Sequence, residues 1–384
     1  MLIKRVVVTG LGVVSPIGTG TKEFWQGLSS GKNGISQITQ FDTTQYSVKL
    51  GGEVNDFKPE KFMSLKRVDR SSRPTQFAIA AAKMAIESSG LDMDVEDRTR
   101  AGVCIATSGH TSMLGDQGDI LKARGPKRID PLLTNKIGPN MVGVQVGLEC
   151  GLRGPNTTIN SACASGSDSI GTALNHMRLG HADVMIAGGA DATITPITIA
   201  STAIVGALSR NPDSETACRP FDLHRNGFLF GEGSGMLLLE TLEHAKKRGA
   251  PILAELAGAG WSFDAYDETA PYAEMQAEAM KMALSDAETQ PEEVDYINAH
   301  GTSTKLNDAA ETKAVKITFG EAAYKIPVSS NKSMFGHLAT AAGSVEAAAT
   351  VLTILNGVIP PTICLLYTSP SPRDRTRSRM PSSA

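Results

Sequence analysis

Cys163 lies in residues 160–166, the segment whose residue types best suit covalent chemistry. Strand-like residues 157–159 come directly before this segment, and a helix-like pattern follows it. A thiol at the start of a helix lies at the positive end of the helix dipole, which favours the thiolate. The small neighbouring residues leave room for a substrate. The segment therefore predicts a nucleophilic cysteine, with a buried and inert cysteine as the open alternative.

Two histidines have similar surroundings. His300 follows the strand-like residues 294–299 and precedes Gly301, and His337 follows Gly336 and precedes an alanine-rich helical segment. Histidine beside glycine at the end of a strand is well placed for acid–base or hydrogen-bond chemistry. The other histidines lie in ordinary helix or loop positions. One cysteine and two histidines together predict nucleophilic catalysis.

Strand-like apolar runs alternate with helix-like segments, which predicts an α/β layered fold. The predicted strands are residues 6–8, 103–106, 184–187, 236–239, 252–257 and 294–297. Helical spacing predicts one helix through Phe77 and Met84 that ends near Gly90, and another through Ile170 and Met177 that ends near Gly180. A strand followed by Gly-x-Gly occurs twice, at residues 8–12 and 256–260, and suggests an internal repeat.

Composition excludes several classes of protein. The chain has 384 residues, 41% of them hydrophobic, with a formal net charge of -3. We therefore expect a globular protein that is neither a nucleic-acid binder nor a membrane protein. The amino terminus predicts no signal peptide. The odd number of cysteines has no metal-type or redox-pair spacing, which predicts a reduced, cytoplasmic location.

Three motifs occur in order along the chain. They are Ser-Ala-Cys-Ala-Ser-Gly at residues 161–166, His-Gly-Thr-Ser-Thr at 300–304, and Lys-Ser-Met-Phe-Gly-His-Leu at 332–338. Together they resemble the motifs of the β-ketoacyl-[acyl-carrier-protein] synthases, most closely the type II bacterial condensing enzymes. The resemblance extends from residues 5–12 to residues 360–363 and so covers nearly the whole chain.

The resemblance implies the thiolase fold, in which two similar halves with mixed five-stranded sheets stack as α-β-α-β-α layers. The N-terminal half would occupy residues 1–250, with inserted helices and loops, and an incomplete C-terminal half residues 251–363. The implied chemistry is a decarboxylating Claisen condensation in fatty-acid elongation.

The resemblance also implies a role for each site residue. Cys163 would carry the acyl chain as a thioester, and His300 and His337 would stabilise the enolate left by malonyl decarboxylation. Lys332 would organise the charge balance with Glu346. The remaining implied residues are substrate-binding Thr302, Thr304 and Phe228 and supporting Asp308 and Glu311. No metal or cofactor is implied, because acyl carrier protein brings both substrates on its phosphopantetheine, and family members are homodimers.

The sequence departs from the family pattern in several places. Lys305 replaces a usual proline, Asn226 a usual aspartate and Phe335 a more common threonine, which leaves the acyl preference open. Residues 364–384 lack periodicity, turn basic and resemble a translated sequencing adapter. We interpret them as a non-native tail, with a genuine disordered basic tail as the alternative. Family members continue with a Gly-Phe-Gly-Gly loop and a last strand, which we expect this chain to lack.

Two other functions stay open. The first is a ketosynthase of a polyketide or aryl polyene pathway, which has the same fold and chemistry. The second is a catalytically silent partner subunit, although such subunits typically lack the nucleophile that Cys163 supplies. A degradative thiolase is disfavoured because its motifs would add a second catalytic cysteine.

Overall fold

The computed structural model describes residues 4–366, so the tail interpretation falls mostly outside the described residues. The predicted α/β class is confirmed, and each predicted strand overlaps an observed one. The strands are β1 Val6–Ser15, β2 Gly18–Thr19, β3 Ser36–Gln37, β4 Leu50–Gly51, β5 Ala101–Ala106, β6 Asn156–Ile159, β7 Val184–Ala192, β8 Glu232–Thr241, β9 Ala254–Leu256, β10 Ile297–Asn298 and β11 Val328–Ser329.

The helices fill the segments between these strands. They are α1 Thr21–Ser30, α2 Leu65–Arg70, α3 Arg73–Ser89, α4 Met113–Arg124, α5 Leu133–Ile137, α6 Pro139–Cys150, α7 Ser165–Arg178, α8 Pro196–Val205, α9 Leu242–Arg248, α10 Ala273–Asp286, α11 Lys305–Phe319, α12 Lys332–Phe335 and α13 Ala342–Asn356. Helix α3 ends at Gly90 in the left-handed conformation, as the spacing predicts. Within the described residues, no helix combines the length and apolar character needed to span a membrane.

A mixed sheet forms the centre of the molecule. Its strand order is β2-β1-β8-β7-β5-β6, and β9 pairs antiparallel with β1. Strand β5 runs parallel to both β6 and β7, whereas β8 is antiparallel to its neighbours β1 and β7. The five longest strands of this sheet correspond to the five-stranded sheet expected for the first half.

The second half differs from the expected sheet. In the described residues it contributes one parallel pair, β10 with β11, in which each strand has only two residues. Strand β9, the first strand of this half, hydrogen-bonds to β1 of the central sheet instead, through Ala254–Leu256 opposite Val6–Val8. Within the described residues, β9 does not pair with β10 or β11.

Helices cover both faces of the central sheet. Because side chains alternate along a strand, one face of the sheet contacts α7 and α13, and the other contacts α3 and α6. Helix α13 comes from the second half of the chain and α7 from the first. These two helices share one layer, which holds the two halves against one another. It also brings the N-terminal ends of α7 and α13 together.

The repeated Gly-x-Gly segments have the same structural role. A Cβ at Gly12 would lie 1.8 Å from the carbonyl oxygen of Ala81 in α3. A Cβ at Gly260 would lie 2.1 Å from the carbonyl oxygen of Ala279 in α10. In both halves, therefore, only glycine lets a helix backbone approach the segment so closely. This equivalence explains the repeat seen in the sequence.

Candidate active site

Cys163 lies in a single 3₁₀ turn, Ala162–Ala164, between β6 and α7. The prediction that it opens the helix is therefore correct to within one turn. Ala162 has a φ of 54°, a left-handed conformation that a non-glycine residue adopts only when its surroundings impose it. Here the Ser165 hydroxyl accepts from the Ser161 N–H at 2.8 Å and donates to the Ala162 carbonyl at 2.6 Å.

Close packing between α7 and α13 brings the second half to this turn. A Cβ at Gly166 would lie 2.6 Å from the backbone nitrogen of Ser344 near the start of α13. The glycine that ends the cysteine motif is thus needed for the approach of the helix that follows His337. Packing of one motif on the other places His337 beside Cys163.

His337 is buried and directs one ring nitrogen at the cysteine. Its Nε2 lies 3.0 Å from Cys163 Sγ. Its Nδ1 accepts a hydrogen bond from the Ala339 backbone N–H at 3.0 Å. Because Nδ1 is an acceptor, the proton of the neutral ring is on Nε2, which is therefore a donor.

His300 lies on the other side of the site, directly after β10. Its backbone N–H and that of Gly301 donate to the two carboxylate oxygens of Glu311, at 2.6 and 2.7 Å. Its ring meets that of His337 edge to face, with centroids 5.3 Å apart. Glu311, expected in a supporting role, thus holds the backbone of His300 in place. Burial raises the pKa of Glu311 to about 7.

Both histidines are neutral around pH 7. Burial, together with the nearby positive charge of Lys332, lowers the pKa of each ring well below its usual value of 6.5. The thiol sulfur and one nitrogen of each ring lie within 4.8 Å of one another. The site therefore presents two neutral imidazoles beside a thiol, which is compatible with the roles that the resemblance implies.

A cysteine and two histidines this close also resemble a metal site. A metal ion would need the lone pair of His337 Nε2, and so the ring proton would have to move to Nδ1. There it would face the Ala339 N–H, which is itself a donor. The donor set thus suits hydrogen bonding to a substrate better than metal binding.

Lys332 is fully buried and forms an ion pair with Glu346 of α13, as expected. Removing either partner would leave an uncompensated buried charge, which typically costs about 3–5 kcal/mol. Lys332 also acts electrostatically on the other groups, because its charge lowers the pKa of both histidines and of Cys163.

The expectation that Cys163 is a ready thiolate needs correction. Desolvation in the site raises the pKa of its thiol, and Lys332 offsets that effect only in part. Burial raises the pKa values of Cys104, Cys150 and Cys218 to about 12, as is typical of buried, unreactive thiols. Cys163 differs from these three in being exposed.

We therefore expect alkylation of Cys163 to accelerate steeply with pH. Below the pKa of a thiol, the thiolate fraction rises about tenfold per pH unit. The iodoacetamide rate constant should rise without a plateau between about pH 7 and pH 9. Mass spectrometry of the Cys163 peptide measures this rate, and a plateau below about pH 8 would mean that the helix dipole outweighs desolvation.

A cavity of about 620 Å³ opens from Cys163 and both histidines to the surface. Its walls include all three predicted substrate-binding residues, Phe228, Thr302 and Thr304. Phe228 packs on the His337 ring with centroids 5.2 Å apart, and the two threonine hydroxyls lie 2.9 Å from one another. Asp308 lies behind this wall, where it accepts from the Phe221 and Ser303 backbone N–H groups at 2.8 and 3.2 Å.

Sequence reasoning missed the rest of the lining. Residues 205–207 at the end of α8, together with Thr269 and Pro271, line the same cavity. Ile204 and Val205 at the end of α8 are 83% and 73% exposed, which their apolar sequence does not show. Nothing in the sequence around Thr269 distinguishes it from an ordinary loop residue.

Comparisons with known proteins agree with this geometry. Residues 3–245 match the Beta-ketoacyl synthase, N-terminal domain family, and residues 253–365 match the Beta-ketoacyl synthase, C-terminal domain family. A 3-oxoacyl-[acyl-carrier-protein] synthase 2 of Staphylococcus aureus is 45% identical over 94% of this chain and 88% of its own length. The protein of the same name from Synechocystis has the same identity and coverage.

Solved structures show the same similarity. The ishigamide ketosynthase/chain length factor is 39% identical, covers 96% of this chain and 90% of its own, and superposes with a TM-score of 0.90. A beta-ketoacyl synthase from Burkholderia phymatum is 33% identical, with the same coverage and a TM-score of 0.88. The thiolase fold implied by the motifs is thereby confirmed.

Proposed function

The chain belongs to the beta-ketoacyl synthase family, and from this premise we propose that Cys163, His300 and His337 carry out its decarboxylating condensation. An acyl chain would be joined to the two-carbon unit of malonyl-acyl carrier protein, giving 3-oxoacyl-acyl carrier protein. The convergence of one thiol and two neutral imidazoles within 4.8 Å carries the assignment.

In the first step, Cys163 Sγ attacks the thioester carbonyl of the acyl carrier protein. The bond from that carbonyl to the carrier sulfur breaks, and the carrier leaves as a thiol with the proton that Cys163 gives up. The Nε2–H of His337, 3.0 Å from Sγ, stabilises negative charge on the sulfur during this exchange.

In the second step, His300 and His337 donate hydrogen bonds to the thioester oxygen of malonyl-acyl carrier protein. Loss of carbon dioxide leaves an electron pair that these donors stabilise as an enolate. The carbanion carbon attacks the carbonyl of acyl-Cys163, and Sγ leaves as a thiolate that takes a proton from solvent. Neutral donors suit this step, and the lowered pKa values of both rings keep them neutral.

The favoured pathway is fatty-acid elongation. The 3-oxoacyl-[acyl-carrier-protein] synthase 2 relatives are 45% identical, whereas the ishigamide ketosynthase and a type II polyketide ketosynthase are 39% and 36% identical. The choice between the two pathways can be tested by a side-by-side assay. It compares acyl carrier proteins loaded with saturated acyl chains and carrier proteins loaded with polyketide intermediates. Faster extension of the polyketide carriers would favour the second pathway, and no extension of either would favour a silent partner subunit.

We further propose that the protein is cytoplasmic and needs no cofactor besides the phosphopantetheine of the carrier protein. Its N-terminal half would span residues 1–250 and its C-terminal half residues 251–363. We also propose that it is a homodimer. Strand β6 lies at an edge of the central sheet, and the adjoining residues 161–164 are exposed. An uncovered edge strand readily pairs with a second chain. A monomer in sedimentation equilibrium would contradict the dimer.

Lys305 should strengthen binding of the carrier substrate. It lines the cavity as the first residue of α11, its side chain is exposed, and within the described part of the chain no acidic side chain pairs with it. The phosphopantetheine phosphate is a suitable anion. Because an exposed ion pair is worth about 0.2–1 kcal/mol, Lys305→Glu should raise KM for malonyl-acyl carrier protein about 1.4- to 5-fold.

The matched control is Lys325→Glu, which changes an exposed lysine outside the cavity lining. The increase in KM caused by Lys305→Glu should become smaller at high salt. The kcat of this variant should be nearly unchanged. An equal KM increase in both variants, or an effect insensitive to salt, would contradict a direct contact with the phosphate.

A further inference from the structure

We propose that Asp191 is a positioning residue that keeps His337 in its Nε2-protonated form through the turn at residues 338–341. The proposal rests on the proposed function, because it concerns a donor that the decarboxylation step requires. Asp191 is the second-last residue of β7 and does not line the cavity. No sequence motif singles it out.

The Asp191 carboxylate is fully buried and joins three elements of the site. One oxygen, Oδ1, accepts from the Ser108 hydroxyl after β5 and from the Ala192 N–H, both at 2.9 Å. The other oxygen, Oδ2, accepts from the hydroxyl and backbone N–H of Thr340 at 2.6 and 3.3 Å. All four partners donate, as an ionised carboxylate requires.

The Thr340 contacts anchor a strained turn. Ala339, between His337 and Thr340, has a φ of 48°, a conformation that costs free energy in a residue with a side chain. In this conformation the Ala339 N–H reaches His337 Nδ1 at 3.0 Å. Asp191 therefore stabilises, through Thr340, the backbone conformation on which the tautomer of His337 depends.

Loss of this anchor has a chemical consequence. If the turn relaxes, the Ala339 N–H leaves Nδ1, and the ring can place its proton on Nδ1 instead. His337 Nε2 then presents a lone pair, and no longer a proton, to the substrate oxygen. A lone pair cannot stabilise the negative charge of the enolate. The site would keep its shape and its thiol but lose one donor.

Asp191→Asn tests the proposal with little change in volume. In the variant, the amide oxygen can still accept from the Ser108 hydroxyl. The amide NH2 group replaces Oδ2, so that a donor now faces the Thr340 N–H, which is also a donor. We expect carbon dioxide release from malonyl-acyl carrier protein to fall about 10- to 100-fold. Iodoacetamide should still label Cys163, because loss of the Asp191 charge lowers the pKa of the thiol while loss of the His337 Nε2–H raises it. Retained labelling together with slowed carbon dioxide release distinguishes positioning from general damage to the fold.

Nitrogen-15 NMR of labelled histidine gives a direct readout. His337, assigned by comparison with His337→Ala, should show the Nε2–H form in the wild type and a mixture of forms in Asp191→Asn. Thr340→Val, which removes only the hydroxyl, should act in the same direction, and Thr340→Ser should restore much of the rate. Asp183→Asn, just before β7, is the matched control and should leave the rate unchanged.

The proposal fails if Asp191→Asn and Thr340→Val both release carbon dioxide at the wild-type rate, or if the His337 tautomer is unchanged. Should Asp191→Asn not fold, Thr340→Val decides alone. Absence of carbon dioxide release by the wild-type protein, or full release by His337→Ala, would instead overturn the proposed function.

Discussion

Replacing Cys163 with alanine is expected to abolish condensation, with a fall of at least about 10⁴-fold in rate. The reason is that the acyl chain then has no sulfur to which it can transfer. Intact-protein mass spectrometry with an acyl-acyl carrier protein should show one acyl adduct on the wild-type protein and none on the variant. The assay is sensitive because Cys163 is the exposed cysteine among five.

Cys150→Ala is the matched control for this prediction. Its thiol is buried at the end of α6 with its pKa raised to about 12, so it should neither be acylated nor be needed for activity. An adduct that survives Cys163→Ala would assign the nucleophile to another residue. Loss of the adduct in Cys150→Ala alone would have the same meaning.

Replacing His300 or His337 with alanine is expected to slow carbon dioxide release from malonyl-acyl carrier protein by about 10²–10³-fold each. Each change removes one donor to the enolate oxygen while Cys163 stays in place, so part of the acyl transfer to Cys163 should remain. Transfer should suffer more in His337→Ala, because the His337 ring hydrogen-bonds to Sγ at 3.0 Å. Single-turnover release of labelled carbon dioxide measures the first effect, and mass spectrometry the second.

The pH dependence provides an independent check. The pKa values of both rings lie well below 6.5, so protonation should not reduce carbon dioxide release between about pH 8 and pH 6. At lower pH the imidazolium forms appear, and Lys332 is then next to further positive charge.

His181→Ala is the control for the two histidine substitutions. It changes an exposed histidine after α7 and should leave the rate of carbon dioxide release unaltered. Wild-type release rates in both His300→Ala and His337→Ala would refute the assigned roles.

Local patterns in the sequence were sufficient for much of the fold. Helix α3 and its end at Gly90 follow from apolar spacing and one glycine, and the same reasoning places α7. The central strands follow from their apolar runs, since a buried strand needs such residues whatever its neighbours are. The partner of β9 could not be predicted in this way, because strand pairing depends on distant segments.

The motifs alone identify the residues that we propose to react. Cys163, His300 and His337 are recognisable from their neighbours, because a nucleophile near a helix start and histidines beside glycine have local signatures. Thr269 and Asp191 have no such signature, since their roles come from a loop and a strand that lie near the site only after folding.

Only the tertiary structure decided the protonation state of the site. The helix start at Cys163 predicted an easily formed thiolate, but desolvation raises the pKa of that thiol. The proton of His337 is on Nε2 because the Ala339 N–H occupies Nδ1, in a turn anchored by Asp191 from another strand. Burial and hydrogen-bond partners set a pKa, and they are supplied by residues far apart in the chain. The sequence thus identified the proposed reacting groups, and long-range packing determined their charges and directions.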